Sequence, residues 1–151
     1  MKTIPAAKTI LAILPQIDKY CEGQTMKNRR SAVYSYNSLK DSETLVNEII
    51  EKTFNIDRLC NLKIQAYDLL SALPKNLGKI LELTFIKNKT PDKVSAELNC
   101  TYRTFFRRRD KALELFALGL ADIGINTFTF RSLLEQNRWI AEEYAAQCKE
   151  K

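Results

Sequence analysis

Between Thr90 and Phe116 the chain reads TPDKVSAELNCTYRTFFRRRDKALELF, and the spacing of its apolar and capping residues admits a short helix, a tight turn and a second, basic helix. Pro91 has a fixed φ and no free N–H, so it suits the first turn of a helix capped by the Thr90 hydroxyl. Val94 and Leu98, four apart, give that helix one apolar face. Asn99 stands where the chain must reverse, and asparagine is among the few non-glycine residues that tolerate a left-handed backbone. Thr101 then caps a second helix by accepting a backbone N–H from Arg103 or Thr104. Phe105, Ala112, Leu113 and Phe116 recur at helical spacing along its inner side. Cys100, inside the turn, reads as a small apolar plug.

The outer side of the second helix carries Arg103, Arg107, Arg108 and Lys111, with Tyr102 and Thr104 at its start. A run such as Arg107, Arg108 and Arg109 is by itself most simply a solvated helix face. After a turn of this kind it gains a second reading, because a recognition helix presents its first residues to base edges while flanking cations hold phosphates. On that reading Thr101 opens the helix, Arg103 and Thr104 read bases, and Tyr102 reaches base or backbone. Arg107, Arg108, Lys111 and the turn lysines Lys87 and Lys89 hold phosphate.

From Leu73 to Phe116 the chain resembles the C-terminal DNA-reading module of sigma factors, in which a Leu-Pro opens a helix and a second helix, a turn and a Ser/Thr-capped recognition helix follow. More closely, TFFRRRDKALELFALGL resembles the end of the ArpU and RinA family of phage late-gene transcription regulators, which share that module. The resemblance rests on the pair Phe105 and Phe106, the Arg-Asp-Lys-Ala run to Ala112 and the Leu-Gly-Leu ending at Leu120. It implies a sigma-like helix-turn-helix that binds duplex DNA, and activation of late genes. Asn99 departs from the glycine of many relatives and Ser95 from a usual alanine. Arg109 stands where such modules place an apolar residue, so its stem is expected to pack while the guanidinium reaches solvent.

Charge is concentrated on this stretch. Pro74 to Leu120 carries ten Lys or Arg against five Asp or Glu, giving +5, whereas the residues before it give +2 and those after it −1, for a total of +6. A basic patch that coincides with a motif is the electrostatic footprint of a nucleic-acid binder. Only four glycines and four prolines are present, and no stretch alternates cleanly enough for a sheet, so the chain is read as all-α. Ile125 to Phe130, INTFTF, is the one extended candidate.

Other chemistries find little support. There is no histidine, no phosphate-cradling glycine loop and no nucleophile elbow. Paired carboxylates such as Glu142 and Glu143 fall on helix surfaces, so no enzyme and no cofactor is expected. Cys21, Cys60, Cys100 and Cys148 lie far apart without metal or redox spacing and read as free thiols of a reducing cytoplasm. The apolar run Ile10 to Leu14 is too short for a signal peptide, and no segment approaches the roughly 20 apolar residues of a membrane span.

The expected organisation has four parts. Residues 1–40 hold a helix from Ile4 to Tyr20, kinked or restarted at Pro15, and a polar linker carrying Lys27, Arg29, Arg30, Tyr34 and Tyr36. Residues 41–73 form a long or broken helix, with Leu45, Val46, Ile49 and Ile50 followed by a heptad-spaced seam at Leu59, Leu62, Ala66, Leu69 and Leu73. That seam packs inside the monomer or pairs two copies. Residues 74–120 are the helix-turn-helix module, and 121–151 a connector with a final helix from Ser132 to about Cys148. Function then reads as a sequence-specific DNA-binding transcription regulator. The alternatives are an interaction protein whose arginines meet RNA polymerase or another acidic partner, and a helix-pairing assembly domain with incidental basicity.

Overall fold

Two long helices open the chain. The computed structural model describes residues 3–34 and 42–149. Its elements are α1 (Thr3–Tyr34), α2 (Ser42–Ala72), α3 (Lys75–Leu81), a π-helical turn (Glu82–Ile86), α4 (Pro91–Glu97), α5 (Tyr102–Asp122), α6 (Thr127–Gln136) and α7 (Arg138–Lys149). Among the described residues every element is helical and none is a strand, so the chain is all-α.

The helices group into two compact units, one of Met1–Pro15 with Gln65–Lys151 and one of Gln16–Ile64. In the first unit α5 packs against α3 and α4. Ile80, Leu83, Val94 and Phe105 form a buried cluster there, and Leu98, Cys100 and Phe106 pack against it. Phe116, Leu113 and Leu120 continue the buried side of α5. The start of α1 reaches the far end of the same helix, where Ala7, Ile10, Leu120, Ile125 and Phe130 line an open-sided cavity of about 170 Å³. In the second unit Ile17, Leu59 and Leu62 are buried.

Glycine at two positions lets helices approach closely. A Cβ on Gly78 would stand 2.9 Å from the Leu70 carbonyl oxygen, so α3 lies directly against the end of α2. A Cβ on Gly119 would collide with the Leu69 methyls, which places the half-buried Leu69 of the heptad-spaced seam on α5 within the chain.

Five expectations are corrected. The segment read as a polar linker is helical as far as Tyr34, and α1 runs through Pro15 without a break. Pro15 removes one backbone donor, but Leu11, Ile13, Leu14 and Ile17 around it are all buried and hold the helix in place. Tyr36 lies outside the described residues. Among the described residues in the first half of α2 only Leu45 is buried; Val46 and Ile50 are exposed. INTFTF is not extended: α6 begins at Thr127, because the Asn126 side chain accepts the Thr129 N–H at 3.0 Å and caps it. The final helix is two helices, broken at buried Asn137, whose amide donates to the Leu133 carbonyl at 3.0 Å while its backbone turns extended. The Phe130 and Tyr144 rings meet edge to face, 5.3 Å apart, and close α7 on α6.

Gly78→Ala tests the close approach of α3 to α2. Alanine is favoured over glycine inside a helix by about 1 kcal/mol, yet here the methyl meets backbone, and urea denaturation should show a loss of about 1 to 3 kcal/mol.

Candidate nucleic-acid interface

The elements that present the basic side chains are positioned by local devices, each readable in atoms. Thr90 adopts an extended backbone and its hydroxyl accepts the Lys93 N–H, with Pro91 at the first helical position of α4. That helix closes on Leu98, and Asn99 follows with φ +52°. Cys100 N–H then donates to the Ser95 carbonyl at 3.1 Å and Asn99 N–H to the Ala96 carbonyl at 3.3 Å, the paired bonds of a Schellman turn with asparagine in the glycine position. Thr101 is extended, and its hydroxyl accepts the Thr104 N–H at 3.2 Å to start α5. Asn88, with φ +51°, makes the matching turn before α4, where Lys89 N–H donates to the Leu83 carbonyl at 3.0 Å.

These turns set which face of α5 meets solvent. Phe105, Ala112, Leu113 and Phe116 are buried, and Arg103, Arg107 and Lys111 project from the opposite side at intervals of four. They span about 12 Å along the axis. Arg108 is half-buried on the flank of this row, Thr104 is half-buried and Tyr102 is exposed. Among the described residues no acidic side chain lies within ion-pair distance of Arg103, Arg107, Arg108 or Lys111.

The two turn lysines differ from this row. Lys89 donates to Glu97 at 2.8 Å, across α4, and Lys87 stands 4.0 Å from Glu82. The Lys89 hydrogen bond, with lesser attraction from Lys79 and Lys87, holds the Glu97 carboxyl below its ordinary range. The Asp92 carboxylate lies near Tyr102 and pushes its phenol above the ordinary range. The Tyr102 ring lies 5.6 Å from that of Phe106. Arg109 packs as its sequence position requires, only 23% exposed, with its guanidinium carbon 4.9 Å from the Phe106 ring centroid and Nη2 3.5 Å from Asp110. Among the described residues its Nε has no hydrogen-bond partner.

The structure therefore gathers Thr101, Tyr102, Arg103, Thr104, Arg107, Arg108 and Lys111 on one end and one side of α5, and Lys87 and Lys89 at the turn that precedes α4. Sequence reasoning passed over Asp92 and Glu97, the acids beside Tyr102 and Lys89. Neither pair falls at the i, i+4 spacing that marks a partner within one helix. No family model matches the chain, and neither a curated protein nor a solved structure does.

Two outcomes check this geometry. Asn99→Ala puts a residue with no local hydrogen-bonding side chain in the left-handed region and should cost about 1 kcal/mol in thermal or urea unfolding, whereas Asn99→Gly should not. The Glu97 carboxyl, depressed in the folded state, stabilises the fold above its ordinary carboxylate range and loses that contribution as pH falls through the folded value. Lys89→Met should raise the Glu97 titration, followed by carbon-13 NMR, back toward the ordinary range; an unmoved titration would refute the pairing.

Proposed function

We propose that α4, the Asn99 turn and α5 act as a sigma-like helix-turn-helix, and that the protein is a sequence-specific DNA-binding transcription regulator of the phage late-gene activator type. The observation that carries this reading is the row Arg103, Arg107 and Lys111, unpaired among the described residues and projecting from a helix whose other face is buried. An α-helix with its side chains is about 10 to 12 Å across and fits the B-DNA major groove, about 12 Å wide, so a basic row on one side can face the groove.

Roles follow from position. The start of α5 enters the groove. Arg103 pairs in bidentate fashion with guanine, Thr104 and Thr101 contact neighbouring base or backbone atoms, and Tyr102 reaches base or phosphate. Arg107, Arg108 and Lys111 hold phosphates along the groove wall. Lys87 and Lys89 approach the backbone from the preceding turn, Lys89 by exchanging Glu97 for phosphate. RNA polymerase, close to a promoter-bound regulator, is the natural protein partner, and two copies on a repeated half-site are compatible with the same docking.

The test is selection of binding sites from a random duplex library with purified protein at about 150 mM salt, where phosphate contacts alone give weak binding. An enriched motif is expected. Arg103→Ala should cost about 1 to 3 kcal/mol on that motif and relax preference at one base pair, while Lys111→Ala should weaken all sequences alike and lower the salt slope by about one. No enrichment from a folded sample would defeat the proposal and favour an acidic protein partner for the same row.

A further inference from the structure

Cys21 and Cys60, thirty-nine residues apart in the sequence, are brought near each other by the fold. Asp18 on α1 and Lys63 on α2 form a two-point ion pair, with Nζ 2.7 Å from both carboxylate oxygens. This fixes the register of two antiparallel segments in the second unit. One turn further along α1 and one turn back along α2 stand Cys21 and Cys60, each three residues from a member of the pair. The register set by the ion pair puts them side by side, near enough for Cys60 to act on the Cys21 thiol. Cys21 is buried and Cys60 is half-buried, so Cys60 is the more accessible of the two. Ile17, Leu59 and Leu62, within four residues of these positions, are buried as well.

We propose that Cys21 and Cys60 are a redox modification site that forms a reversible disulfide between α1 and α2. Small disulfides such as oxidised glutathione serve as the oxidant. The Cys60 thiolate attacks one sulfur of the small disulfide and expels one glutathione thiolate, leaving a mixed disulfide on Cys60. Cys21 then gives up its proton and attacks the Cys60 sulfur, which expels the second glutathione thiolate. The protein loses two protons and two electrons, and one glutathione disulfide takes them up to become two glutathiones. Burial and the adjacent Cys60 push the Cys21 thiol up to about 11, which disfavours its thiolate, so the more accessible Cys60 attacks first and Cys21 second. The bond then staples the helix pair and closes a loop across the segment that joins them, which restrains the unfolded chain.

Equilibration of the full chain in glutathione buffers from reducing to oxidising, followed by acid quench, alkylation and peptide mass mapping, tests this. The expected product is a cross-linked peptide pair containing Cys21 and Cys60, lighter by two hydrogens than the reduced pair, with Cys100 and Cys148 alkylated or carrying glutathione singly. The thermal midpoint of the oxidised protein should lie above that of the reduced one. In Cys21→Ser a glutathione adduct should persist on Cys60. Full alkylation of both thiols in the most oxidising buffer, a lasting glutathione adduct on Cys60 of the unaltered chain, or a link between different copies would each overturn the proposal.

Discussion

Phe105 lies fully buried against Ile80, Leu83 and Val94, and through that ring α3, the π-helical turn, α4 and α5 share one core. Removing such a side chain from water is worth about 1.5 to 3 kcal/mol, but its geometric effect reaches further. Residues two before and two after a buried position lie about 200° away around a helix. Anchoring Phe105 inward therefore turns Arg103 and Arg107 outward, and Lys111 falls in line with them. One apolar contact thus sets the facing of the basic row.

The turns that bracket α4 and end α5 repeat one solution. A left-handed residue, Asn88, Asn99 or Gly124, follows each helix end, and the next N–H reaches back to a carbonyl of the last turn. After α5 the bonds run from Gly124 N–H to the Ala121 carbonyl and from Ile125 N–H to the Leu120 carbonyl. Side-chain caps then start the next helices, Thr90, Thr101 and Asn126 in turn. Helix ends are stopped and restarted within a few residues, and this lets short elements wrap a small core.

Charge around the candidate interface is divided between pairing and display. Lys89 is held by Glu97, which fastens the turn before α4, and Asp92 lies near Tyr102 at the start of α5. Arg109 gives its charge to the Phe106 face. Arg103, Arg107, Arg108 and Lys111 are left for solvent or a polyanion. The ties stiffen the surface from which the row projects, and a stiff surface loses less conformational entropy when a partner docks.

The stretch from Thr90 to Phe116 determined its own local structure, because caps, a left-handed asparagine and a 3.6-residue apolar period act within a few residues of one another. The all-α class followed from the same period and from the scarcity of alternating segments. Tertiary packing decided what those short-range rules could not. INTFTF alternates like a strand, but Phe130 is drawn into the core and Asn126 caps a helix instead. Asn137 breaks the last helix only because it is buried. The polar segment after Cys21 has no apolar period of its own, and Pro15 argues against a continuous helix; neighbours buried around that proline carry α1 through it. The meeting of Cys21 with Cys60 and the approach of Tyr102 to Asp92 depend on which helices lie side by side, and residues distant in sequence meet only when the chain has folded.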